Sequence, residues 1–395
     1  MLFLRTRAKL LLQQKKVSAA ALALAGVFVF AGAMWSISAG LAGALACMSI
    51  ALLLAIPALF SEAEAGGEPA RSRPWRWVFV LLIVFHAAVA ISLVHINRAG
   101  VNDCWIFQRD AAESLLRGVD PYGTTHENIY SPAQTAKFYH PGAVVNGRVQ
   151  VGLLYPPLTL LAAVPGYLLG DIRYGYVLVV LLSALILSIA LPGRGGFVAA
   201  ICLLLNPLTF IIEICSWTEP LVLLLLCWLL YILRRKPALL PVAFGIFLAA
   251  KQYNALALPL AGLLLPRFTW KAYCKFVGIS LAVAAATLLP FALWNFHALW
   301  HDLVQFVFTL PFRTDALSFA VLFPWATKIG PLLLLIFLAF AVLRARPSAA
   351  NFSAAYGAAL LIYFVTSKQA CFNYYFLVGH VFLISSACRW TDSGA

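Results

Sequence analysis

The sequence predicts an all-α polytopic membrane protein, and three observations carry that expectation. Of its 395 residues, 63% are hydrophobic and only 11% are charged. Several apolar runs reach the roughly 18 to 20 residues that a bilayer-spanning helix needs. The basic residues gather in short clusters between those runs, which is how membrane orientation is encoded in a chain. A formal charge of +14 would suit a nucleic-acid partner if it lay on a folded basic domain. The clusters between apolar runs are instead accounted for by membrane topology, so no nucleic acid is expected.

The elements follow in order from hydropathy and the positive-inside rule. Arg5, Arg7, Lys9, Lys15 and Lys16 precede an apolar run over 17–35 that resembles a signal peptide, with Ala31-Gly32-Ala33 as a small-residue cleavage pattern. A second run over 40–60 follows at once, so a retained hairpin is expected. Arg71, Arg73 and Arg76 return the chain to the cytoplasmic side, and a third span over 76–95 leads outward. After a polar interval, 155–169 is apolar but short, opens with Pro156-Pro157 and is expected to be broken by Pro165. It is expected to be re-entrant or juxtamembrane, with protein covering any unpaired backbone. Spans then alternate over 174–191, 197–212, 220–233, 238–250, 253–265, 276–293, 318–343, 352–366 and 372–388. This makes about twelve, with both termini cytoplasmic. Eighteen of the 28 Lys and Arg fall inside and ten of the 14 Asp and Glu outside.

The polar interval from Ile96 to Leu154 is the segment that the rest serves. Loops longer than about 15 residues are functional or disordered, and this one is too aromatic for a disordered linker. Asp103 follows the third span by about eight residues, at the membrane surface. From Ile106 to Arg117 apolar residues recur at helical spacing and Gly118 stops the run, as expected of an interfacial helix. Asp120-Pro121-Tyr122-Gly123 predicts a turn, and the remainder is expected to have little regular structure. Eight cysteines show no C-x-x-C spacing and no metal or redox signature. Cys104, Cys215 and Cys371 fall outside, where a disulfide is open to them, although buried small hydrophobes are the plainer expectation.

With this topology Asp103, Glu213, Trp217, Glu219, Lys251, Gln252, Tyr253, His297, Lys368, Gln369 and Asn373 all lie at outer helix ends or in outer loops. Ionisable groups at membrane depth are costly, and each is a functional candidate by default. Together they predict one outward-facing polar cavity. Each also has an ordinary role open to it: a lysine at a helix end snorkels to headgroups, loop carboxylates are solvated, and His297 and the tyrosines suit an interfacial belt. Two lysines each followed by glutamine and aromatic residues favour an anion site.

The chain resembles GT-C membrane glycosyltransferases, most nearly the polyprenol-phosphate-mannose-dependent family (glycosyltransferase family 87) that includes bacterial phosphatidylinositol mannoside mannosyltransferases. The resemblance rests on Asp103 after an outward helix, on the run from Leu115 through Arg117-Gly118 to Asp120-Pro121-Tyr122, and on Leu154-Tyr155-Pro156-Pro157-Leu158. Asn206-Pro207, the outer loop before Glu219, Lys251-Gln252-Tyr253 with Pro259, and Asn373-Tyr374-Tyr375 extend it over residues 76 to about 390. It implies a GT-C-like catalytic domain over 76–395, with 1–75 as an added tail and hairpin. It also implies an integral protein of the cell (inner) membrane with its active site facing outward.

The implied activity is inverting transfer of a sugar, mannose in the family, from a polyprenyl-phosphate donor to a lipid or glycan acceptor. Asp103 would be the general base, and Lys251, Lys368 and Gln252 would hold the donor phosphate. Arg109, Tyr122, Tyr155, Glu213, Trp217, Glu219, Tyr253, His297, Gln369, Asn373 and Tyr374 would bind substrate. No cofactor or metal ligand is implied, and a divalent-metal requirement is left open. The stretch from Tyr122 to Tyr155 is longer than in the family, leaving acceptor identity open. A transporter or flippase of a lipid-linked sugar is the alternative, for which paired broken helices are expected. A structural scaffold would leave the outward polar convergence without a purpose.

Overall fold

The computed structural model describes residues 19–33, 41–60, 73–98, 102–191 and 194–391; the N-terminal basic cluster and Arg71 lie outside the described residues. Sixteen α-helices are described: α1 (Ala19–Ala33), α2 (Leu41–Phe60), α3 (Arg73–Ile96), α4 (Asp103–Leu116), α5 (Pro132–Phe138), α6 (Pro157–Leu168), α7 (Arg173–Ala190), α8 (Arg194–Leu205), α9 (Pro207–Ile214), α10 (Glu219–Arg235), α11 (Leu240–Leu248), α12 (Trp270–Trp300), α13 (Phe306–Thr309), α14 (Ala326–Arg344), α15 (Ala349–Thr366) and α16 (Phe372–Thr391). Among the described residues, five helices are long and apolar enough to cross a membrane, and six if the bent pair α8 and α9 counts as one span. This is the helix content of an all-α membrane protein.

The centre of the bundle is α15, buried at most of its positions. It is built on Ala, Ser and Gly, which let neighbouring backbones approach, and it packs against α14, α16 and α2. Beside it, α7 lies against α6, α8 and α10, and α11 lies along α12. The N-terminal helix α1 crosses α16 at Gly26 and Gly379. A Cβ on Gly26 would fall 2.9 Å from the Gly379 carbonyl, so the crossing needs glycine.

Several expected spans differ in form. The segment expected over 253–265 is two 3-10 segments, Gln252–Ala257 and Pro259–Leu264, and Pro259 at their junction has no N–H to donate. The segment expected over 238–250 is a 3-10 turn followed by the nine-residue α11. Pro165, expected to break its segment, lies inside α6.

The span expected over 197–212 bends by 55° between α8 and α9. Pro207 cannot donate to the Leu203 carbonyl, which instead accepts from the Thr209 hydroxyl at 2.7 Å. The Leu208 N–H turns to the Asn206 side chain at 3.0 Å, which frees the Leu204 carbonyl for Nδ1 of His86 on α3 at 2.7 Å.

The polar segment between α3 and α6 is more ordered than expected. Three two-residue strands, β1 (His126–Glu127), β2 (Val144–Val145) and β3 (Arg148–Val149), form an antiparallel sheet in the order β1-β3-β2. Asn146 and Gly147, with φ of 50° and 74°, make the two-residue hairpin turn that Asn-Gly favours. A satellite core that includes Phe107, Tyr122, Tyr139, Leu153, Phe291 and Phe306 binds this segment to α4, α6 and the outer end of α12. A helix of about 20 residues already spans the hydrocarbon, whereas the apolar stretch Trp270–Thr309 has 40. Asn295, at φ −156° and ψ 87°, kinks it.

Candidate functional site

Asp103 opens α4, whose N-cap Asn102 accepts the Trp105 N–H at 3.2 Å. Its half-buried carboxylate accepts the Tyr139 hydroxyl at 2.7 Å, and its backbone N–H donates to the Tyr130 hydroxyl at 3.2 Å. Burial first, and then the Asp103 charge, push both phenols well above their usual range. They stay protonated, and Tyr139 donates to a carboxylate that keeps its remaining lone pairs.

The register of α4 is fixed from behind by Gln108, which is fully buried. Its amide donates to the Cys104 carbonyl at 2.9 Å and the Ser216 carbonyl at 2.7 Å, and its carbonyl accepts from the Tyr176 hydroxyl. Ser216 has a φ of 54°, the left-handed conformation that closes the turn between α9 and α10.

Across this turn lies a buried ion pair. Lys251 Nζ donates to the Thr218 hydroxyl and to Glu219 Oε1 at 3.3 Å, and the Tyr253 hydroxyl also donates to Oε1 at 3.3 Å. The ammonium lies 4.4 Å from the Tyr155 ring centre and 5.8 Å from that of Tyr253, within cation–π range. Tyr155 ties the two halves together, because its hydroxyl donates to Cys104 Sγ at 3.0 Å while its ring covers Lys251. Burial, and then Asp103, hold the Cys104 thiol well above its usual range, so it acts as a neutral partner. Glu219 Oε2 and Asn373 Oδ1 are buried acceptors without a protein partner.

The Pro-Pro segment that carries Tyr155 is clasped from two sides. The Tyr122 hydroxyl donates to the Tyr155 carbonyl at 2.8 Å. Buried Asp302, in the π-helical turn after α12, accepts the Gly152 and Leu153 N–H groups, each at 2.8 Å. His126 contacts the Gly152 carbonyl through Nε2 and Asp110 through Nδ1 at 2.8 Å. Although burial raises the Asp110 carboxyl, hydrogen bonds from His126 and Arg109 outweigh it and hold the group below its usual range.

The sequence-predicted residues thus divide. Tyr155, Lys251, Glu219 and Tyr253 meet, and Asp103 is joined to them through its chain neighbour Cys104. Tyr374 joins them through its ring, 6.0 Å from that of Tyr253, and Trp217 packs edge-on against Phe372 at 4.6 Å, beside Asn373. Tyr122 and Gln252 support the loop backbone, Gln252 through the Leu154 carbonyl at 3.1 Å. Arg109 is 2.6 Å from Asp110 and stacks over Trp105.

Others are engaged elsewhere. Glu213 is fully buried against His86 at 3.0 Å, at the helix break. Lys368 donates to the carbonyls of Phe308 at 2.8 Å and Leu310 at 2.6 Å, and burial pulls its ammonium below the usual range. Gln369 donates to the Pro311 carbonyl at 3.1 Å, and His297 is exposed. All eight cysteines are free, so Cys104, Cys215 and Cys371 form no disulfide.

Sequence reasoning missed Tyr130, Tyr139, Gln108, Thr218, His86, His126 and Asp302. Of these, His86 carried a signal, a lone histidine within an apolar span. Among the described residues no group of three or more His, Cys, Asp or Glu is arranged to hold a metal ion. No protein-family model matches the chain, and no curated protein matches it.

Proposed function

We propose that the chain is a GT-C-type membrane glycosyltransferase. It moves a sugar, mannose on the sequence resemblance, from a polyprenyl-phosphate donor to a lipid or glycan acceptor at the outer face of the cell membrane. The observation that carries the proposal is that Tyr155 links a half-buried carboxylate to a buried cation, its hydroxyl on Cys104 next to Asp103 and its ring against Lys251. A base must reach the acceptor hydroxyl, and a cation must stabilise charge that develops on the departing phosphate.

In the proposed step Asp103 takes the hydroxyl proton and the hydroxyl oxygen bonds to the anomeric carbon. The bond from that carbon to the phosphate oxygen breaks with its electron pair, releasing polyprenyl phosphate with inversion. The same proposal includes about twelve membrane passes with cytoplasmic termini, the shorter apolar helices such as α6 and α11 completing the count. Lys251 serves the phosphate through its remaining N–H, and the buried acceptors of Glu219 and Asn373 suit sugar hydroxyls.

A transporter of the lipid-linked sugar is the second reading, favoured by the bent pair α8 and α9, since broken helices line transport sites. The test is mass spectrometry of products from purified protein, a polyprenyl-phosphate sugar and a panel of acceptors. Transfer is expected, and Asp103→Asn, which preserves shape and an acceptor for Tyr139, should cut it by roughly 10² to 10⁴ with donor binding intact. Absence of product from the wild type, together with donor flux across vesicles, would replace the enzyme by the transporter.

A further inference from the structure

A cleft of about 470 Å³ opens between α5 and the chain from Tyr139 to Val144. We infer that it is a binding subsite for an uncharged saccharide, the part of an acceptor glycan next to the unit whose hydroxyl reacts. The inference rests on the glycosyl-transfer proposal and names the class of acceptor that it uses.

Three features point to a sugar. The cleft falls within the roughly 300 to 1,000 Å³ of ligand sites, and no Asp, Glu, Lys or Arg lines it, so a phosphate or another ion would meet no counter-charge. Half-buried Tyr130 in its wall supplies the aromatic surface on which the C–H face of a pyranose packs, and buried Tyr139 backs it, 6.0 Å away between ring centres. Between them stand uncharged hydrogen-bonding groups: the Asn128 amide, the Thr135 hydroxyl and the His140 ring. Because His140 Nδ1 lies 2.8 Å from the Pro141 carbonyl, that nitrogen carries the proton, and in the neutral ring Nε2 is left as an acceptor for a hydroxyl.

The cleft is also preformed and attached to the reacting centre. Asn128 Nδ2 donates to Thr135 Oγ1 at 2.8 Å, and Ser131 with Gln134 closes a capping box on α5, so the wall is ordered before a ligand arrives. The same two phenols that line the cleft end on Asp103, Tyr139 at the carboxylate and Tyr130 at the backbone N–H. A glycan seated there has its neighbouring unit beside the base.

The test measures binding without chemistry. Full-length protein in nanodiscs is titrated, without donor, with neutral methyl hexosides and hexose disaccharides under saturation-transfer difference NMR. At least one disaccharide should receive saturation, and inorganic phosphate should not displace it. Ala136→Trp puts a large side chain into the cleft from an exposed position of α5, and it should weaken that binding at least tenfold with an unchanged melting temperature. His140→Ala should weaken it by a smaller factor. Saccharide binding that is indifferent to Ala136→Trp, or transfer by a wild type whose cleft binds no saccharide, would overturn the inference and leave the transferase intact. Saccharide binding lost in Ala136→Trp, in a protein that transfers nothing, would keep the cleft and sink the transferase.

Discussion

Lys251→Met tests the buried pair at the heart of the site. Nζ and Glu219 Oε1 are 3.3 Å apart, with side-chain exposures of 8% and 0%. At an effective dielectric of about 20, unit charges at that separation attract by about 5 kcal/mol. Removing the lysine leaves a buried carboxylate whose Oε2 has no partner and whose Oε1 keeps only the Tyr253 hydroxyl. Breaking a buried pair from one side costs roughly 3–5 kcal/mol, and Lys251→Met should lie near the top of that range. Glu219→Gln leaves the ammonium with Thr218 and two aromatic rings, so it should lie near the bottom.

The double variant removes both charges and loses only hydrogen bonds, at about 0.5–1.5 kcal/mol each. The two single losses should therefore exceed the double loss by several kcal/mol. Mixed-micelle unfolding of all four proteins, followed by tryptophan fluorescence, closes the cycle. Losses that add to within about 0.5 kcal/mol, the behaviour of independent sites, would refute the coupling and with it the view of Lys251 as a cation held in place by Glu219.

Three further outcomes follow from the fold. His86→Ala orphans the Leu204 carbonyl and the Glu213 carboxylate together, and it should destabilise by roughly 3–5 kcal/mol; a loss below about 1 kcal/mol in the same unfolding assay would deny that His86 stitches the helix break. Hydrogen bonds from Arg313, opposed by burial and helped by Lys137, hold Asp315 at about 2, against about 3.9 unfolded. The contact from α5 to Asp315 therefore stabilises fully above about pH 4 and is lost as pH falls towards about 2; hydrogen exchange over 132–138, corrected for intrinsic rate, should rise across that window, and constant protection would contradict it. In a cysteine-free background, Ala133→Cys should react with an impermeant thiol reagent in intact cells while Arg235→Cys and Ala345→Cys should not; labelling at 235 would invert the topology.

Spans were legible where apolar length and helical hydrogen bonding agree. The expected 76–95, 174–191 and 352–366 differ by three residues or fewer at each end from Arg73–Ile96, Arg173–Ala190 and Ala349–Thr366. Hydropathy does not distinguish an α-helix from a 3-10 segment, so 253–265 looked like a span although it winds as two 3-10 segments joined at Pro259. The hairpin at Asn146-Gly147 was written in the sequence but masked by the polar composition around it. The bend at Pro207 was also visible, whereas its partner was not, since His86 reaches Leu204 across 118 positions.

The candidate site was half legible for a geometric reason. Apolar length and positive charge fix how deep a residue lies along the membrane normal, and by that measure Lys251 and Lys368 are equivalent: each ends an apolar stretch and precedes a glutamine. What separates them is rotation about the helix axis, which hydropathy does not encode. One ammonium turns into the bundle, where Glu219, Thr218 and Tyr155 have already been desolvated by α4 and α10; the other turns to the carbonyls that α13 leaves open at its end. Glu213 and Glu219 divide in the same way, six residues apart around a turn at Ser216, one meeting His86 and the other Lys251. Depth names the candidates, and packing chooses among them. The partners of Asp103 were out of reach on both counts, because Tyr130 and Tyr139 are 27 and 36 positions away and only the folded hairpin and α5 bring their hydroxyls back to it.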